Sequence, residues 1–291
     1  MRIPDSRNTS GLTANLNRLA ARHVSAAAEV SSGYRVTSPS TDPRAAAELA
    51  KVRHAVERTA AFRSNIGAAR GDNELAEGIL AEASSLMERV QELAVQSANG
   101  TYGASERSSM AIEITGLKAQ LLSMANTRGS NGYLFAGSAT TTAPFNAGAV
   151  FVGNSNAHPV EIGANQVVNM AVDGAKAFTA TGGEDVFLVL DALTTALNAN
   201  DQTAIITTLD RIKSSHGQLV RARADSGLLL DRLNMSESAL EQADLALKTR
   251  QAVLGDADAV GAMTELTKVQ NSIERSLAVA QRILNIRHFE P

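Results

Sequence analysis

Two heptad stripes, one near each end of the chain, restrict its fold more than any other feature. Leu12, Leu16, Leu19, His23, Ala26 and Val30 recur at alternating spacings of four and three residues. Met263, Leu266, Gln270, Ile273, Leu277, Ala280 and Leu284 show the same alternation close to the other end. Such a spacing draws an apolar seam along one side of a helix, and a seam needs a second helix to cover it. The two ends are therefore expected to pair with each other or with neighbouring copies. Each buried Leu contributes about 1.5–3 kcal/mol, whereas ordering each residue costs about 1–2 kcal/mol of backbone entropy. A lone helix pair is thus expected to be marginal alone and stable in an assembly.

Between the stripes the pattern is helical, then broken, then helical again. Gly33 ends the first helix, as a glycine beyond the last turn does. Ser31 to Pro43, with Pro39 and Pro43 among Ser and Thr, reads as an extended connector. Asp42 then caps, and Pro43 opens, a helix running to about Ala98. A helix of roughly 55 residues rises about 80 Å, with Gly67 and Gly71 as weak points in its middle. Asn99 to Gly103 is a turn, and Ser105 is expected to cap a shorter helix ending near Thr127. From 128 to 183 the helical period disappears. Tyr133-Leu134-Phe135, Ala149 to Val152 and Gln166-Val167-Val168 read as short strands. Helix resumes at Glu184 and breaks at Asn198-Ala199-Asn200. Asp201 caps a second long helix, with Ile212, Leu219, Leu233, Leu240, Leu247 and Leu254 on one seven-residue register and Ser226 filling the gap. Gly255 ends it, and Asp256 or Asp258 caps the last helix.

The expected domains are 1–42, the first coiled-coil helix and connector; 43–127, the first half of a helical body; 128–183, a small β-rich insert; 184–254, the second half of the body; and 255–291, the final coiled-coil helix. Composition agrees. Trp and Cys are absent, and only ten aromatic rings occur. Six of them, Tyr133, Phe135, Phe145, Phe151, Phe178 and Phe187, fall between 133 and 187. Coiled-coil seams are filled by aliphatic residues, while compact cores use rings, so the ring-rich stretch marks a different kind of packing.

Little in the chain suggests catalysis. The absence of Cys removes thiol nucleophiles, thiolate metal sites and disulfides together. Five histidines occur, none at metal-ligand spacing from a partner, and His23 on the seam is a register-setting polar residue. No nucleophile elbow, P-loop or dinucleotide fingerprint is present. Neither a catalytic residue, a metal ligand nor a cofactor site is expected. Asp256, Asp258 and Glu184-Asp185 read as helix caps. Gly129-Ser130-Asn131-Gly132 could cradle an anion, but a turn is the simpler reading. The net charge of −3 does not suit a nucleic-acid binder. No apolar run reaches the roughly 18 residues of a membrane span, and no signal-peptide core precedes Gly11.

Several segments resemble one family. Met1-Arg2-Ile3 at the start, and Val30 to Pro43 with its Ser38-Pro39-Ser40-Thr41-Asp42-Pro43 core, look like the connector of flagellins and their relatives. The Ser-Pro-Ser-x-Asp-Pro form is nearer to the hook-associated, junction-forming branch than to filament flagellins. Glu92-Leu93-Ala94-Val95-Gln96-Ser97-Ala98-Asn99-Gly100-Thr101 is similar to a second family element. Met124-Ala125-Asn126-Thr127 through Asn131-Gly132-Tyr133-Leu134-Phe135-Ala136-Gly137, followed by Pro144-Phe145, is similar to a third, and Asp256-Ala257-Asp258 to a fourth. These matches span roughly 1–145 and 200–284. Asp42 stands alone where the family often has two acidic residues, and the tail Asn285 to Pro291 departs from the family's short apolar ending.

The resemblance implies a mainly α fold: an elongated flagellin-like helical bundle with paired N- and C-terminal coiled-coil helices and a small β insert. It implies export without a cleavable signal through the flagellar type III apparatus, and residence outside the cell in the flagellum. The implied role is a structural junction between hook and filament. Implied partners are further copies in a ring, a first hook-associated protein, flagellin and an export chaperone, with no nucleic acid and no membrane span. The assembly seam would comprise Leu12, Leu16, Leu19, His23, Ala26, Val30, Met263, Leu266, Ile273, Leu277, Ala280 and Leu284; Ser38, Pro39, Ser40, Asp42 and Pro43 would form the connector motif. A short filament flagellin is the alternative reading. A coiled-coil secretion effector leaves the paired end motifs unexplained. A hydrolase built on the β insert is remote, because 128–183 holds a single histidine and few acids.

Overall fold

The structure, a computed structural model, describes residues 5–286 apart from 157, 170 and 171, with side chains from 10 to 282. Met1-Arg2-Ile3 and the tail from Arg287 lie outside the described residues, as does the side chain of Leu284. The elements in order are α1 (Asp5–Ser32), α2 (Pro43–Ser97), α3 (Ala104–Ala125), β1 (Arg128–Gly129), β2 (Gly132–Tyr133), β3 (Pro159–Gly163), β4 (Gln166–Asn169), α4 (Gly174–Phe178), a 3-10 turn (Ala180–Gly182), α5 (Val186–Asn198), α6 (Gln202–Gly255) and α7 (Ala259–Ile286). The fold is mainly helical, and none of the described helices is long and apolar enough to cross a membrane. Two compact units divide the chain. The terminal unit joins residues 1–58 to 243–291, and the central unit is 59–242. α2 and α6 contribute residues to both.

Helix ends follow local chemistry. The Ala45 amide donates to the Asp42 side chain at 2.9 Å, with Pro43 in the first helical position. Asp185 and Asp201 cap α5 and α6 in the same way. Of the two acids before α7, Asp258 is the cap, receiving the Val260 and Gly261 amides. α3 differs from expectation: Gly103 precedes the helix, and its amide donates to the Glu106 side chain at 3.1 Å, leaving Ser105 inside. α2 passes Gly67 and Gly71 without a break: the neighbouring Ile66, Ala69 and Asn73 are buried, and their packing outweighs the weak helix preference of the two exposed glycines.

In the central unit, Ile212, Leu219, Ser226 and Leu233 are all buried, so the seven-residue register of α6 is a core line. Ser226 breaks that line with a polar pair: its hydroxyl donates to Asn73 Oδ1 at 2.8 Å, and Asn73 Nδ2 donates to the Ser226 carbonyl at 2.7 Å. Two buried polar groups that satisfy each other fix the register of α2 against α6. Phe135, Phe145, Phe151, Phe178 and Phe187 form one ring cluster with centroids 5.1–6.2 Å apart. The Asn126 amide brackets Phe145, donating to its carbonyl and accepting its N–H at 3.0 Å each.

The β insert holds less strand than its sequence suggests. Its two antiparallel hairpins are β1–β2 and β3–β4, the second bulged between Glu161 and Gly163. Ala149 to Val152 supplies only an isolated bridge, Phe145 to Phe151, and Leu134-Phe135 is buried coil. The phenylalanine rings of this stretch pack in the shared cluster, so tertiary packing, rather than strand pairing, organises most of it. Gly137 sits at φ +66, where a Cβ would lie 2.0 Å from the Asn154 carbonyl oxygen, so no side chain fits there.

Candidate assembly surfaces and the paired connectors

The terminal unit is built on the pairing of α1 with α7. On α1, Leu12, Leu16, Leu19, His23 and Val30 are half-buried and Ala26 is buried. The stripe read from sequence is therefore the covered side of this helix. Arg22 adds a 2.6 Å ion pair to Glu265, and His23 Nε2 lies 3.5 Å from Gln270 Nε2. The first contact lies on a polar flank of the seam and the second starts from the seam residue His23; both tie α1 to α7.

α7 divides its stripe. Leu266, Ile273 and Ala280 are half-buried, while Met263 and Leu277 are exposed, at 61% and 47%. The covered side is completed instead by Ala262 and Val269, each one residue before a member of the Met263–Gln270–Leu277 line. The seam thus uses the Leu266 line and the Ala262 line. Smaller residues face α1 and permit close approach; the bulkier Met263 and Leu277 stand beside the seam, uncovered. Val260 and Val279 on the same helix, and Val24 on α1, are also exposed. A helix that leaves large apolar side chains beside a covered seam presents a second surface suited to another helix.

The two connectors pair with each other, which the sequence did not reveal. Gly33 leaves α1 at φ +73, the left-handed conformation that glycine adopts without strain. Its carbonyl accepts the Ala257 amide at 2.9 Å, and the Arg35 amide donates to the Gly255 carbonyl at 2.8 Å. Tyr34 and Asp256 form an antiparallel bridge between these bonds. The Arg35 guanidinium donates to the Leu254 carbonyl at 2.8 Å and to Asp42 Oδ2 at 3.3 Å. One side chain therefore caps the end of α6 and meets the acid that opens α2. The Ala45 amide, and then Arg35, hold the Asp42 carboxyl below the usual aspartate value.

The rest of the connector is a turn, where extended chain was expected. The Thr41 amide donates to the Ser38 carbonyl at 3.1 Å, and the Ser38 hydroxyl lies 2.7 Å from Ser40 Oγ and 2.9 Å from Thr41 Oγ1. Pro39 occupies the second position of that turn, where its fixed φ fits. Short hydroxyl side chains satisfy one another there, so the Ser-Pro-Ser-Thr composition has a local cause. Ser38, Pro39, Ser40, Asp42 and Pro43 are thus brought into one turn and cap.

Among the described residues no group of three or more His, Asp or Glu side chains is placed to hold a metal ion. The Gly129 to Gly132 turn does cradle an anion, and that anion belongs to the chain. Asp72 of α2 receives the Ser130 amide at 2.7 Å and Asn131 Nδ2 at 2.9 Å. Arg107, only 4% exposed, donates to the Ser97 and Asn99 carbonyls and to Asn200 Oδ1. It joins the turn after α2 to the turn before α6.

Comparison with known proteins matches residues 6–140 to the bacterial flagellin N-terminal helical region. Flagellar hook-associated protein 3 of Escherichia coli is 27% identical, with the alignment covering 85% of this chain and 86% of that protein. Flagellin FlaB1 of Treponema pallidum is 30% identical over 89% of this chain and 90% of its own length. The flagellar junction protein of Legionella pneumophila shares the fold, with a TM-score of 0.58 at 19% identity, across 73% of this chain and all of that structure. An alignment at 30% identity along nine-tenths of both chains leaves one assignment: this chain belongs to the bacterial flagellin family.

Proposed function

We propose that this chain is a structural subunit of the junction between the hook and the filament of a bacterial flagellum. The observation that carries the reading is the near full-length likeness to hook-associated protein 3, together with the Ser38-to-Pro43 connector. The protein would work outside the cell, after export without a cleavable signal, by holding two tubes together and catalysing nothing. Further copies would close a ring, the first hook-associated protein would sit on the hook side and flagellin on the filament side, and a chaperone would keep the chain soluble before export. The uncovered Met263 and Leu277 support the ring, since neighbouring copies would bury them.

A short filament flagellin is the second reading, favoured by the 30% identity to flagellin FlaB1. The two separate in purified protein. A junction subunit alone stops at small oligomers, and filaments form only when flagellin is added. Long filaments grown from this protein alone would reverse the choice.

A further inference from the structure

The chain contains two Asn-Gly pairs, Asn99-Gly100 and Asn131-Gly132. We propose that Asn99 is a self-modifying site, converting to aspartate or isoaspartate by attack of its own backbone, while Asn131 is held against the same reaction. In this chemistry the nitrogen of the following residue attacks the side-chain carbonyl carbon. A C–N bond forms, the bond to Nδ2 breaks, and Nδ2 leaves as ammonia carrying the proton lost by the backbone nitrogen. Water then adds to one of the two carbonyls of the resulting cyclic imide and opens it to the acid. Water is the only other reactant.

Around Asn99 several features favour that reaction. The residue and Gly100 are both exposed to water. Asn99 Oδ1 accepts two hydrogen bonds, from the Thr101 amide at 3.1 Å and the Thr101 hydroxyl at 3.2 Å. Those donors fold the carboxamide over the Gly100 peptide and face the oxygen on which negative charge develops, the arrangement that stabilises an oxyanion. The Gly100 N–H, the nucleophile, donates to no acceptor among the described residues. The buried Arg107 guanidinium lies 3.4 Å from the Asn99 carbonyl and has only neutral oxygens as partners, so its charge favours both the anionic intermediate and the acid product.

Asn131 has the opposite surroundings. Its Nδ2 is tied to Asp72 Oδ2 at 2.9 Å, which holds the leaving group away from attack and sets a carboxylate beside the developing negative charge. Its nucleophile belongs to Gly132, which is paired with Gly129 in the β1–β2 hairpin.

The test is incubation of the full chain at mildly alkaline pH, followed by peptide mapping for the one-dalton gain of amide-to-acid conversion. In the native protein Asn99 is expected to convert at least about ten-fold faster than Asn131. In denaturant the two rates should approach each other. Gly100→Ala fits the site, its Cβ meeting nothing nearer than Gln202 Nε2 at 3.8 Å, and by crowding the attacking nitrogen should slow conversion at 99 while leaving 131 unaffected. Thr101→Ala, which removes the hydroxyl donor and keeps the amide, should slow Asn99 several-fold. A native Asn99-to-Asn131 ratio no greater than the denatured ratio would overturn the proposal.

Discussion

The terminal and central units use their apolar residues differently. The central unit carries Phe135, Phe145, Phe178, Phe187, Leu190, Leu193 and Ile212 at 0–2% exposure, around a ring cluster bracketed by hydrogen bonds. In the terminal unit, Ala26, Ala45, Leu49, Val52, Ala262 and Val269 are buried at 3–8%, and most of the long aliphatic residues of α1 stay half-exposed. A two-helix seam has only one covered side, so its residues cannot lose the rest of their surface within the chain. The central unit closes its core within the chain; the terminal unit leaves apolar surface that neighbouring copies would cover on the proposed reading.

The largest separation of the two should come from Leu277→Asp. Leu277 is 47% exposed, so the isolated protein should lose only about 1 kcal/mol of stability. Assembly should fail, because a carboxylate buried without a partner in a helix interface costs several times that amount. Filament counts on cells carrying the variant, beside thermal melts of the purified protein, measure both. Normal filaments would sever the exposed stripe from assembly.

Phe178→Ala should do the reverse of Leu277→Asp in solution. It opens the ring cluster and should lower unfolding free energy by about 3–5 kcal/mol in denaturant titration. A loss below that of a surface substitution would mean the cluster is not the core of the central unit. Gln218→Ala should cost about 2–3 kcal/mol, since its amide serves the Ala177, Thr179 and Glu184 carbonyls and the Glu184 amide together.

Arg35→Ala should be milder, about 1 kcal/mol, through loss of the bond to the Leu254 carbonyl. Hydrogen exchange should quicken at Arg35 and Ala257 and stay unchanged in α5. The smallest effect concerns pH. The Asp42 carboxyl is held below its ordinary 3.8, so the unfolded chain takes up its proton first as pH falls. Its stabilising contribution is complete above that ordinary value and is lost as pH drops through it toward the lower folded value. Asp42→Ala should therefore flatten the acid limb of terminal-unit stability and leave the neutral region's pH dependence unaltered. An unchanged acid limb would show that the cap carries no charge-dependent stability.

Much of the terminal unit was legible because its signals are local. Asp42-Pro43 opens α2, Gly33 closes α1, and the α1 stripe is its covered side. The side that α7 turns inward was not legible. The Met263–Leu277 line and the Ala262–Val269 line are both partly apolar, and choosing between them requires knowing how closely α1 approaches. The pairing of Arg35 with Leu254 was hidden for a related reason, since 219 residues separate the partners. In the β insert, Asp72 organises a turn 58 residues further along the chain, and the rings are drawn into a shared cluster that no local alternation records. Among the polar residues, Asn126 lay inside a recognised motif, while the bracketing of Phe145 came only with the fold.

The junction role is tested most directly in cells from which the gene has been deleted, by electron microscopy of the flagella together with assay of the culture medium. The account predicts hooks that carry no filament, with flagellin released into the medium. Filaments of normal length on those cells would contradict it.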